Sequence, residues 1–211
     1  MYILGLTGSI GMGKTTAANA FRHYGVPVYD ADAAVHQLTG PGGKAVEAVG
    51  EAFPGVVKNG AHGNMVDRQL LGPKVFDDKA ALARLEDILH PLVRQIQLEF
   101  LRQAAKRHEK LAVLDVPLLF EVGSDQLCDA IAVVTAPAYL QRIRVLSRPG
   151  MTEDRFAQVL KSQLPDGEKR KRADFLIQTS LGKNFSLLCI RNIIEITKDR
   201  IGHKWPPRLK P

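Results

Sequence analysis

The sequence predicts an α/β fold: a five-stranded parallel sheet flanked by helices, with an inserted helical domain and a lid. Three observations carry this expectation. Short apolar runs at 2–6, 26–32, 111–117, 130–136 and 173–180 read as strands, and stretches of helical periodicity separate them. A glycine-rich stretch, GSIGMGKT at 8–15, joins the first strand to the first helix. A long block at 65–110 carries helical spacing and interrupts the alternation, as an insertion would. With 211 residues and 45% hydrophobic content, the chain can bury one sizeable core.

The elements follow in order. YILGL (2–6) is a short buried strand, and KTTAANAFRHYG is a helix with Gly25 as its stop. VPVYDAD (26–32) is a second strand ending in acids. A helix is expected after Asp32, and GPGG at 40–43 breaks it; the rest of 33–60 is mixed. From Met65 to Lys110 the pattern is helical, with Leu82, Leu85, Leu89, Leu92, Ile96 and Phe100 at spacings of three and four; Pro91 is expected to join two helices. LAVLDVP and AIAVVTA restore the strand pattern. An arginine-bearing helix, a charged stretch at 147–172, the strand ADFLIQTS and an amphipathic closing helix, FSLLCIRNIIEITKDRI, complete the chain. The basic, proline-rich tail HKWPPRLKP is expected to be poorly ordered, and Trp205 has no assigned role. In parallel sheets ligands bind beyond the carboxyl ends of the strands, so residues that carry chemistry should follow strands.

The formal charge of +7 favours anionic partners: nucleic acid, a membrane surface or polyphosphate substrates. Cys128 and Cys189 lie in apolar contexts and are expected to be buried thiols in a reducing compartment. The six histidines form no HExxH or Cys/His pattern. The N-terminus lacks a basic leader pattern, and no apolar run reaches the ~18 residues of a membrane span, so a cytoplasmic protein is expected.

Gly8 to Thr15 satisfies GxxxxGK[ST], placed after a strand and before a helix. Glycines let backbone N–H groups wrap an anion, and the helix N-terminus adds partial positive charge. Lys14 can reach β- and γ-phosphates, and the Thr15 hydroxyl can ligate Mg²⁺. The loop therefore points to a nucleoside triphosphate. Asp30 and Asp32 end the second strand. Asp32 suits a base or orienting acceptor for a hydroxyl, and equally a helix N-cap. Asp115, near the end of LAVLDVP, suits the Mg²⁺ shell or a strand-end turn. Leu118, Leu119 and Phe120 suit packing or an apolar pocket wall, and Glu121 a surface acid. Gln141, Arg144 and Arg148 share one helical face, either as a phosphate-binding lid or as a solvated basic face. EKRKR (168–172) invites a nucleic-acid reading, although such runs are more often solvated.

Together GLTGSIGMGKTT, VYDAD, DRQLLGPKVF, LEDILHPLV, LDVPLLFE, QRIRVLSR, Gln163 and ADFLI resemble the dephospho-coenzyme A kinases, from Met1 to about Ile194. LDVPLLFE is the most characteristic segment. The resemblance implies a P-loop kinase core at 1–32 and 111–201, a helical acceptor domain at about 60–110 and a lid at about 144–170. It implies ATP-dependent phosphorylation of the ribose 3′-hydroxyl of dephospho-coenzyme A, with Asp32 as base and Lys14 and Arg144 on the phosphates. Gly8, Gly11, Met12, Gly13, Thr15, Thr16 and the lid arginine Arg148 would complete the ATP site. Thr15 and Asp115 would hold Mg²⁺. Arg68, His90, Leu118 and Phe120 would face the acceptor, although His90 can equally cap or pack a helix before Pro91. The implied partners are these small molecules, with no nucleic acid and no membrane. Departures from the family pattern are Ser9 for a glycine, Met12 and Thr15 for serines, Gln178 for an aspartate, and Thr179-Ser180 for asparagine or glycine. The last three lie near the adenine in the family and bear on base selectivity.

Overall fold

The computed structural model describes residues 1–75 and 78–206. Phe76 and Asp77 of DRQLLGPKVFDD, and residues 207–211 of the basic tail, lie outside the described residues. The chain divides into two compact units: Met1–Tyr29 with the described part of Gln103–Pro211, and Asp30–Arg102.

The first unit is built on β1 (Tyr2–Thr7), α1 (Lys14–His23) and β2 (Val28–Asp30), the last ending at the unit boundary. After the second unit come β5 (Leu111–Asp115), β6 (Ala130–Thr135), α6 (Ala138–Leu146), α7 (Glu153–Ser162), α8 (Asp166–Lys171), β7 (Phe175–Gln178) and α9 (Lys183–Thr197). The five-stranded sheet has the order β2-β5-β1-β6-β7. Parallel pairing aligns Leu6 with Asp115, Thr7 with Val133, and Thr135 with Gln178. Every residue of β1 and β5 is buried, as expected of parallel strands covered on both faces. On one face Leu4, Leu6, Val113 and Val134 pack with Ala17 and Phe21 of α1 and Ile190 and Ile193 of α9. On the other, Gly5 leaves room for its neighbours: a Cβ there would lie 2.8 Å from both Cys128 Sγ and Leu119 Cδ2. Cys128 is buried, and burial, with Asp125 and Asp129 nearby, pushes its thiol up to about 12. Cys189 is only half-buried, unlike the expectation, because it sits on the flank of α9.

The second unit holds α2 (Ala31–Thr39), α3 (Val46–Ala52), a hairpin of β3 (Val57–Gly60) and β4 (Gly63–Val66), α4 (Arg68–Val75) and most of α5 (Lys79–Lys106). Leu38, Val46, Val49, Phe53, Val56, Val66 and Leu71 form its core, and Leu85, Leu89, Leu92 and Ile96 of α5 pack against them. Two expectations change here. Pro91 does not separate helices but lies inside the continuous α5. It occupies an exposed position, and the apolar residues on either side anchor the helix across the missing donor. The helical pattern also does not begin at Met65: β4 extends to Val66, pairing antiparallel with β3 across Ala61-His62. Leu82, counted in the apolar spacing, is 41% exposed.

Candidate active site

The glycine-rich segment turns sharply between β1 and α1. Gly11 and Gly13 adopt left-handed backbone, with φ of 76° and 96°, which a side chain would strain. The turn is closed by Met12 N–H donating to Ser9 O at 3.1 Å. Among the described residues no side chain caps α1, and no acid lies in its first turn, so its N–H groups and positive end suit an anion. Thr15 and Thr16 are exposed there.

The residues that follow the strands converge on this loop. Lys14 Nζ lies 2.5 Å from Asp115 Oδ1, and the Asp115 side chain is only 3% exposed. Asp115 thus ends β5 as part of a charge pair with the loop lysine. The Thr7 hydroxyl donates to Pro117 O at 2.9 Å, tying β1 to the segment after β5. In that segment Leu118 is exposed, Leu119 fully buried and Phe120 half-buried, with Arg172 stacked 5.6 Å over the Phe120 ring. Thr15 and Asp115 both offer oxygen. That suits a hard cation such as Mg²⁺, which takes one or two protein oxygens and fills its shell with phosphate and water.

Arg144, on α6, donates to Thr179 Oγ1 at 2.9 Å and to Thr179 O at 2.8 Å, and reaches Gly11 O at 3.5 Å. The Thr179 hydroxyl in turn donates to Met12 O at 2.7 Å. The Met12 side chain is buried, its sulfur accepting from Ala136 N–H at 3.1 Å. Gln141 donates to Ile10 O at 2.8 Å. Arg148 is not on this helical face: α6 ends at Leu146, and Arg148 is exposed in the turn beyond. Pro149 follows it and disfavours helical backbone at the preceding residue.

One charged residue here differs from expectation. Glu121 is exposed, as a surface acid is, with its carboxylate turned toward Lys169, whereas Lys169 of the EKRKR run is fully buried rather than solvated. They pair at 2.9 Å, and Glu121 Oε1 also accepts Leu164 N–H at 2.7 Å. Burial raises the Glu121 carboxyl, but the Leu164 N–H and the Lys169 ammonium outweigh it and hold it below its ordinary range. Its partner lies far away in sequence, so nothing local signalled the pair.

In the second unit the cap of α2 is Asp30, whose carboxylate accepts from Ala33 N–H at 3.0 Å. Asp32 is not the cap; it lies exposed in the first turn. Arg68 reaches His36 Nε2 at 2.6 Å and Thr39 Oγ1 at 3.2 Å, so α2 holds its guanidinium. These three residues line a cavity of about 460 Å³ with Lys58, Asp67 and Gln69. Lys58, 3.0 Å away, and the Gln69 N–H lower the Asp67 carboxyl. His90 lies exposed on α5. His36 went unnoticed in the sequence because its link to Arg68 is tertiary.

Comparison with known proteins finds relatives along most of the chain. The dephospho-CoA kinase family profile matches residues 2–183. The dephospho-CoA kinase of Paramagnetospirillum magneticum is 59% identical over 81% of this chain and 78% of its own. That of Mesorhizobium japonicum is 53% identical over 96% of this chain and 100% of its own. The solved structure of dephospho-CoA kinase from Campylobacter jejuni is 27% identical, with a TM-score of 0.62 over 93% of this chain and 97% of that one. With its P-loop, its parallel sheet and a match along nearly its whole length, the chain belongs to the dephospho-CoA kinase family.

Proposed function

We propose that this dephospho-CoA kinase transfers the γ-phosphoryl group of ATP in line to the ribose 3′-hydroxyl of dephospho-coenzyme A, with Asp32 as the base. The observation that carries the reading is the Lys14–Asp115 pair beside a glycine loop that opens an uncapped helix. It sets a cation for phosphate next to a carboxylate for metal, at the carboxyl edge of the sheet.

The proposed division of labour follows the chemistry of each group. N–H groups from Gly8 to Thr16 cradle the phosphates. Lys14 and Arg144 stabilise charge on the transferring group, and Arg148 adds a guanidinium from a lid at about 144–170. Thr15 and Asp115 would hold Mg²⁺, which would supply charge neutralisation to the phosphates of ATP. Arg68, His90, Leu118 and Phe120 orient the acceptor. The core at 1–32 and 111–201 and the insertion at about 60–110 divide nucleotide from acceptor binding. The positive balance of the chain suits two polyanionic substrates, and we place the reaction in the cytoplasm.

The test measures ADP release from ATP and Mg²⁺ with dephospho-coenzyme A, adenosine, AMP, CMP and single-stranded DNA in parallel. Turnover with dephospho-coenzyme A alone, giving a product phosphorylated at the ribose 3′ position, is expected. Turnover with a nucleotide or DNA instead would reject the acceptor assignment while keeping that of the loop.

A further inference from the structure

The apex of the phosphate loop is held by two glutamines that the proposed chemistry does not use. Ile10 N–H donates to Gln163 Oε1 at 3.1 Å, and Ile10 O accepts from Gln141 Nε2 at 2.8 Å. The two bonds fix the peptide units on either side of Ile10. Because a trans peptide points its C=O and N–H in opposite directions, holding Ile10 O on Gln141 also aims the N–H of Gly11. In a loop whose function is to aim N–H groups at an anion, that orientation matters. A glycine-rich backbone does not supply it unaided.

The two glutamines have different supports. Gln141 lies in α6 and is buried. Gln163 directly follows α7 and is anchored by what comes next. Leu164 N–H donates to Glu121, and Glu121 pairs with the fully buried Lys169. Lys169 also reaches Pro117 O at 3.4 Å, and Thr135 Oγ1 donates to Asp166 at 2.9 Å. The start of α8 is therefore fastened to the ends of β5 and β6, and Gln163 with it. A buried ammonium is tolerated only when paired, so losing Glu121 alone would loosen this whole segment.

We propose that Gln163 and Gln141 are positioning residues that shape the P-loop for the phosphates of ATP, with the Glu121–Lys169 pair keeping Gln163 seated. The proposal rests on the reading that those phosphates lie on residues 8–15. The two side chains act with opposite polarity: Gln163 must accept and Gln141 must donate.

Steady-state kinetics on the full chain, varying each substrate separately, test this beside calorimetric binding of a non-hydrolysable ATP analogue. Gln163→Ala and Gln141→Ala should each raise the KM for ATP and weaken the analogue about tenfold, the size of one lost hydrogen bond. The KM for dephospho-coenzyme A should stay within about twofold, less than such a bond would move it. Gln163→Glu, which keeps an acceptor for Ile10 N–H, should recover more analogue affinity than Gln141→Glu, which has lost its donor. Unchanged ATP parameters in both alanine variants, or equal weakening of both substrates in step with Tm, would overturn the proposal. Should Gln163→Ala fail to fold, the paired variant E121Q/K169M, which removes both buried charges together, must show the same selective loss for ATP. Lys14→Ala separates the two layers. If Lys14→Ala binds the analogue as tightly as the wild type, the loop assignment fails and the proposal with it. If it weakens binding while Gln163→Ala and Gln141→Ala do not, only the positioning role fails.

Discussion

The Thr179 hydroxyl works in both directions, accepting from Arg144 and donating to Met12 O. It couples the proposed phosphate arginine to the loop backbone. Thr179→Val keeps the shape and removes both bonds. We expect kcat/KM for ATP to fall about tenfold, while Thr179→Ser stays near wild type. Equal behaviour of the valine and serine variants would show that the hydroxyl is idle. Asp32 is tested differently. It is exposed and does not cap its helix, a task taken by Asp30. A structural reason for an acid at 32 is therefore weaker than the sequence left it. Asp32→Asn should bind ATP normally and lose roughly 10²–10⁴ in kcat. Near-normal turnover would remove it as the base.

At the level of elements, the strands were the most legible part. β1, β5 and β6 are buried parallel strands, so they read as continuous apolar runs. The loop and Asp115 were legible for the same reason, since the loop directly follows β1 and Asp115 ends β5. The hairpin at 57–66 was missed because its strands are short and largely exposed, although Asn59-Gly60 and Gly63 mark its turn. Pro91 reads as a breaker in the sequence, but the packing on either side of it carries α5 past it. The contacts of Gln163, Glu121 and Lys169 could not be read locally, since each joins segments distant in sequence. The α2 boundary gives a direct test. Asp30 caps it through Ala33 N–H, and Asp30→Ala should destabilise the chain by about 1 kcal/mol, seen as a lower denaturation midpoint. An unchanged midpoint would mean that the cap contributes nothing to the stability of the second unit.

For the whole molecule, the basic balance of 29 Lys and Arg against 22 Asp and Glu makes every carboxylate held in ionised form important at low pH. Glu121 is the informative one, because its partner is a fully buried lysine. Its folded-state carboxyl lies below the ordinary value of 4.5. A depressed folded value means that the ionised form favours folding. That stability is fully present above 4.5 and is lost as pH falls through the folded value. Asp67 and Glu168 are depressed as well, so acid unfolding of the wild type alone does not isolate Glu121. The difference between wild type and Glu121→Gln does, because the other carboxylates are common to both. The single Trp205 lies in the same unit as Glu121 and provides the fluorescence signal. At pH 7 the glutamine variant should be the less stable, with Lys169 left buried without its counter-charge. Below 4.5 the wild type should lose stability faster, and the two denaturation midpoints should converge. Midpoints that stay parallel down to acid pH would show that Glu121 does not depend on its charge, and the ion pair would then be no anchor for the segment that carries Gln163.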